Sequence, residues 1–219
     1  MSGRLAQFTP TQPAPPERWS PSWNIAPGRR LLILRKVSGS MECAEVLWNL
    51  TPDWLRDLSR ASFSANAENL AERPMFRSAL SERRCLIPVD GFFLWQQQGQ
   101  RKQPWYLRRR SGTLAIAGLW ERYQLDDGTQ WDSCALITAP AKGLAARIGS
   151  RMPVTLNAGE QAMWLASATA VSALQPLLLN AESRVEMMHP VATSVGNPNA
   201  AGAQCCTPTG QIVLASQPA

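Results

Sequence analysis

His189 is the only histidine in a chain of 219 residues, which rules out any multi-histidine metal site. No metal-ligand spacing appears elsewhere, so neither a metal nor a cofactor is expected. The five cysteines (Cys43, Cys85, Cys134, Cys205 and Cys206) include no C-x-x-C pair and leave an odd one over. Cys85 and Cys134 sit inside apolar runs and read as buried reduced thiols. His189 precedes Pro190 in an apolar segment and reads as structural. The phosphate-loop pattern G-x-x-x-x-G-K-[ST], the dinucleotide fingerprint G-x-G-x-x-G and the nucleophile elbow G-x-S-x-G are all missing. The longest apolar stretch, 162–179, is interrupted by Ser167, Ser172, Gln175 and Pro176, so it predicts a helix pair and no membrane span. Residues 1–10 have no apolar h-region, so no secretory signal is expected, and the chain reads as soluble and cytoplasmic.

What is present is an ordinary globular balance, with 45% hydrophobic and 17% charged residues. The length fits one domain with a good core. The net charge is +6, and arginines cluster at Arg29-Arg30, Arg83-Arg84 and Arg108-Arg109-Arg110. Such a balance favours a polyanionic partner, because lysine and arginine release counterions from a phosphate backbone. An ordinary basic surface is the alternative.

The first 22 residues, rich in proline and polar residues, read as irregular. Leu31-Leu32-Ile33-Leu34 and 43–50 predict strands; Thr51 or Asp53 then caps a short helix. Further strands are expected at 84–89, 92–95, 105–107, 113–123 and 131–138, with 96–103 as a polar turn. Asp126-Asp127-Gly128 marks a hairpin. Helical segments follow at 142–148 and 159–166, and 185–191 reads as the last strand. From Gly196 the composition turns to Asn, Pro, Ala and Gly, so 201–219 is expected to be a loosely held tail. The expected class is α+β, a curled, mostly antiparallel, barrel-like sheet flanked by a few helices.

Eight short segments carry a resemblance. They are Met1-Ser2-Gly3-Arg4, Trp23-Asn24-Ile25-Ala26-Pro27, the run from Leu47 to Trp54, Arg83-Arg84-Cys85-Leu86-Ile87-Pro88, Gly91-Phe92-Phe93-Leu94-Trp95, Ala117-Gly118-Leu119-Trp120-Glu121, Ser150-Arg151-Met152-Pro153-Val154 and His189-Pro190-Val191. In this order they resemble the SOS-response-associated peptidase (SRAP) family over residues 1 to about 200. The resemblance implies an SRAP-like domain over 1–200 that binds abasic sites in single-stranded DNA. In that family a cysteine after the initiator methionine joins the site covalently. Its α-amine attacks the open sugar's aldehyde and the thiolate closes a thiazolidine. A glutamate and a histidine move the protons, and an asparagine and arginines hold the amine and phosphates.

Carried over residue by residue, the pattern changes where the chemistry lies. The nucleophile position is Ser2, the glutamate position is Leu94 and the histidine position is Gly149. Neither Leu94 nor Gly149 has a side chain that moves a proton. The family's Asn-Ala-Arg-x-Glu segment aligns without gaps on Ser64-Ala65-Asn66-Ala67-Glu68, which puts Ser64 at the asparagine; a two-residue gap instead gives that role to Asn66. Arg4 and Arg151 are retained as DNA contacts, and Trp54 is placed to stack on a base or to pack in the core. The implied function is single-stranded or abasic DNA binding without a durable crosslink. Two alternatives stand beside it: a residual abasic-site lyase or peptidase-type enzyme that uses the Ser2 amine once Met1 is removed, and a scaffold for a partner other than DNA.

Overall fold

The computed structural model describes residues 3–215. The chain begins with β1 (Leu5–Gln7) and β2 (Ser22–Ile25), then the long antiparallel hairpin of β3 (Arg30–Val37) and β4 (Ser40–Trp48). A loop leads to β5 (Ser64–Asn66) and α1 (Pro74–Glu82), which has Pro74 in its first turn, where a missing N–H costs nothing. Next come β6 (Arg84–Val89), β7 (Gly91–Gln98), β8 (Arg101–Arg108), β9 (Leu114–Gln124) and β10 (Gln130–Pro140). The remainder comprises α2 (Gly143–Ala146), β11 (Arg151–Pro153), α3 (Ala158–Leu165), α4 (Val171–Asn180), β12 (Met187–Pro190) and β13 (Val213–Leu214).

The strands β10-β4-β3-β6-β9 close into a five-stranded barrel through the β9–β10 pairing. Closure removes the unpaired edges that an open sheet would expose. Alternate residues point inward, among them Ile33, Trp48, Ile87, Ile116 and Leu136. The opposite set, including Leu86, Leu119 and Ile137, faces outward under a layer of helices. There α1 supplies Phe76 and Leu80, α3 supplies Trp164, and α4 supplies Leu174 and Leu178. A second sheet, ordered β13-β12-β8-β7-β1-β2, packs Leu5, Phe92, Leu94 and Leu107 against the barrel's core cluster.

The chain passes from barrel to sheet at Asp90-Gly91. The Asp90 carboxylate accepts hydrogen bonds from the backbone N–H of Phe8 (2.6 Å) and Thr9 (3.0 Å) and from the Thr9 hydroxyl. Gly91 is required by space: a Cβ there would lie 2.5 Å from the Tyr106 ring and 2.6 Å from the Leu107 carbonyl oxygen. Gly91→Ala should therefore cost about 3 kcal/mol, the upper end for overpacking, read as a lower urea midpoint with an unchanged m-value.

The mixed α+β, mostly β, class agrees with the expectation, and several local readings change. Leu5–Gln7 is a buried strand paired with β7, although it falls in the stretch read as irregular. Residues 96–103 continue β7 and β8, and the turn is confined to Gly99 and Gln100. Neither Thr51 nor Asp53 caps a helix; Asp57 caps a short 3-10 turn at Leu58–Arg60. The segment from 201 to 215, which the composition left loosely held, is tied down. Cys205 is buried, β13 pairs with β12, and Ala215 N donates to Glu186 O at 2.8 Å. Arg84, read within a basic cluster, is buried and donates to the carbonyl oxygens of Leu80, Ser81, Trp164 and Ala166, where helices α1 and α3 end. Among the described residues, no helix is long and apolar enough to cross a membrane.

Candidate nucleic-acid interface

Leu94 lies on β7 opposite Trp105 and is 2% exposed. It belongs to the same apolar cluster as Ile148 and Met152, which flank Gly149 and Arg151. The fold places Leu94 and the residue preceding Gly149 in one extended apolar cluster. It fills position 94 with a hydrocarbon side chain and leaves position 149 bare: a Cβ added at Gly149 would meet nothing within 4 Å. Arg4 runs alongside, its carbonyl accepting from Phe93 N at 3.1 Å. The Arg4 guanidinium donates to the carbonyls of Gly3 (3.0 Å) and Gly196 (2.8 Å), and burial lowers its pKa. Ser2 lies outside the described residues.

A second group forms where β5 and β11 flank the end of β10. Thr138 stands opposite Asn66 on one side and Pro153 on the other. The Thr138 hydroxyl donates to Asn66 Oδ1 at 3.1 Å. Arg151 makes a bidentate pair with Glu68 (2.6 and 2.8 Å) and also donates to the Thr138 carbonyl oxygen at 2.8 Å. This fork geometry is the strong form of the Arg–carboxylate contact, and it holds the Glu68 carboxyl below the usual carboxylate range. Ser64, two residues before Asn66, faces Leu136 across the ladder; its carbonyl accepts from the Ser62 hydroxyl at 2.8 Å.

Glu68 and Thr138 are the members of this group to which sequence reasoning gave no role. In the gapless alignment Glu68 takes the glutamate of the Asn-Ala-Arg-x-Glu pattern, and that was its one signal. Glu68→Gln should cost about 1 kcal/mol at pH 7, since the pair is only partly buried. The contribution should be fully present above pH ~4.3 and fade as pH falls through the depressed Glu68 pKa. The gap in thermal midpoint between wild type and Glu68→Gln should thus narrow by pH 3.

Trp54 is 52% exposed, in the loop between β4 and β5. That loop is anchored by Tyr123 Oη, which donates to Leu55 O at 3.0 Å. Tyr123 stands opposite Trp131 near the hairpin end of β10, whereas Arg151 stands opposite Pro140 at its other end. The exposed indole and the arginine group thus mark different ends of one strand. His189 is buried on β12, with Nε2 2.9 Å from the Cys206 carbonyl oxygen. Burial lowers its pKa, against the opposing effect of that hydrogen bond. Burial likewise raises the Cys85 and Cys134 thiols, so neither is a nucleophile. Among the described residues, no three His, Cys, Asp or Glu side chains gather as a metal site would need.

A closed five-stranded barrel, a second sheet packed against its core and a helical layer on its outer wall define the class of fold. A crystal structure of a protein from Bacteroides thetaiotaomicron superposes with a TM-score of 0.77 at 20% identity, over 95% of this chain and 97% of that one. The SOS response associated peptidase (SRAP) family model matches residues 2–198, and the chain belongs to that family. It is 32% identical over 165 residues to the abasic site processing protein YoqW of Bacillus subtilis, covering 74% of each chain. It is 30% identical over 199 residues to the abasic site processing protein YoaM of the same organism, covering 89% of this chain and 88% of that one.

Proposed function

We propose that this chain acts at abasic sites as a DNA-binding protein that holds single-stranded or abasic DNA without a durable covalent bond. The observation that carries this reading is Leu94. At the position where the family resemblance expects a proton-transferring glutamate, a leucine is sealed into the apolar core. Gly149 adds no side chain at the histidine position, and Ser2 offers a hydroxyl in place of a thiol. A hydroxyl is both less acidic and less nucleophilic than a thiol near neutral pH.

The binding half of the reading rests on charge and on the abasic-site names of the relatives. A net charge of +6 attracts a phosphate backbone. Trp54 offers an exposed ring for a base, and such stacking contributes about 1–3 kcal/mol per base. Arg4, Ser64 and Asn66 supply polar groups along the strand. Arg151 takes part through what its pairing with Glu68 leaves available.

Fluorescence anisotropy with a labelled single strand, abasic or intact, tests this. Each neutralised phosphate contributes about −0.7 to the slope of log K against log salt, so about four contacts weaken binding roughly 50-fold between 50 and 200 mM salt. Abasic and intact strands should bind alike, because no aldehyde-specific step follows. Absence of binding at low salt would favour a scaffold role for a partner other than DNA.

A further inference from the structure

A cavity of about 440 Å³ lies on the face of β7 and β8 turned away from Leu94. The returning segment around Cys206, Pro208 and Ile212 lines its other side. That volume lies within the ordinary range of small-molecule sites, about 300–1,000 Å³. Two buried polar atoms belong to residues on its wall: His189 Nδ1, which has no hydrogen-bond partner among the described residues, and Tyr106 Oη, which has only a thiol beside it. Tyr106 is 1% exposed and His189 2%. The Cys206 thiol lies against the Tyr106 hydroxyl and is a weak hydrogen-bonding neighbour for it.

The tautomer of His189 follows from its other nitrogen. Nε2 sits 2.9 Å from the Cys206 carbonyl oxygen, and a carbonyl only accepts, so Nε2 carries the proton. Nδ1 is then a bare acceptor that needs an N–H or O–H. Burial keeps the ring neutral and pushes the Cys206 thiol up to about 12, so the pair is no thiolate–imidazole couple and the cavity is built to bind. Phe8 and Trp23, stacked at 5.6 Å, form an aromatic wall. Ile212, 44% exposed, and Pro208 supply apolar surface. Arg108 and Arg110 bring positive charge. Arg108 donates to the carbonyl oxygens of Arg109 and Arg110, whereas Arg110 is exposed. The one carboxylate, Asp90, is already engaged by Phe8 N, Thr9 N and the Thr9 hydroxyl.

We propose that this cavity binds a free nucleoside monophosphate: a flat heteroaromatic ring against Trp23, a ring-edge N–H donating to His189 Nδ1, and a phosphate on Arg110. Aromatic wall, buried acceptor, buried hydroxyl and cation fit the parts of that one class of molecule. The site stands on the opposite face of the sheet from Leu94 and does not depend on the DNA-binding reading.

Calorimetric titration of the full chain with AMP, GMP, CMP and UMP, and with the corresponding nucleosides, tests it. At least one monophosphate should bind. Tyr106→Phe keeps the ring and removes the hydroxyl; it should weaken binding about fivefold, the effect of one hydrogen bond, without lowering thermal stability. Arg110→Ala, at an exposed position, should weaken the monophosphate about tenfold and leave the nucleoside unchanged. Tyr106→Phe, which changes no charge, should keep full affinity for single-stranded DNA. Silence from all four monophosphates at millimolar concentration, or binding that neither substitution alters, would overturn the proposal. So would a parallel loss of DNA affinity in Tyr106→Phe, which would make the cavity part of the strand's own path.

Discussion

Leu94→Glu should lower stability by about 4 kcal/mol at pH 7, because it places an uncompensated carboxylate in an apolar interior. The side chain is 2% exposed in an apolar cluster with Phe92, Ile148 and Met152. Burial would raise the new carboxyl's pKa above its unfolded value of ~4.3. A group with a raised folded pKa loses stability as pH climbs, since the unfolded chain releases the proton first. The deficit should therefore be smallest near pH 4 and grow through neutrality. Urea unfolding at pH 4, 5.5 and 7 reads it directly. A variant as stable as wild type at pH 7 would mean that the pocket still has a partner for a carboxylate.

The second large effect concerns covalent capture of abasic DNA. Ser2→Cys alone should produce only a small fraction of crosslinked strand, since Leu94 and Gly149 move no proton. Adding Gly149→His should raise that fraction severalfold: general acid–base assistance contributes about 10²–10⁴ at full efficiency, and a His without its glutamate should supply only part of it. The backbone accepts this change, because a Cβ at residue 149 has open space. Adding Leu94→Glu should help less than its chemistry implies, because the protein must first tolerate the buried carboxyl. A gel of 5′-labelled abasic strand, denatured before loading, measures all three variants. Equal yields from Ser2→Cys with and without Gly149→His would show that residue 149 does not face the reacting sugar.

Much of the barrel was legible because its strands are short apolar runs punctuated by turn residues. The segment 84–89 and the hairpin at Asp126-Asp127-Gly128 lie where the pattern placed them. The α1 helix was missed because only Phe76, Ala79 and Leu80 are buried along it; Pro74 after Arg73 was the usable signal. Arg84 looked like surface charge, yet it meets the carbonyl oxygens left unpaired where two helices end, a demand that no local pattern reveals. The tail's small and polar residues read as loose, but pairing with β12 is a long-range contact.

The positions that the resemblance assigns to the family's site could be read from the sequence alone, because Ser2 and Leu94 fall inside recognisable segments and Gly149 immediately precedes one. What Arg151 does was not. Its partner Glu68 is 83 positions away, and only the pairing of β5 and β11 to β10 brings the two together. Nor does sequence say which of nine tryptophans stays exposed; Trp54 does because its loop is held by Tyr123 away from the core.

The most direct test uses the unmodified protein and an abasic single strand, with one incubation split between a native and a denaturing gel. The account predicts a shifted band on the native gel at low salt and free DNA alone on the denaturing one. A heat-stable protein–DNA band from the unmodified chain would contradict it.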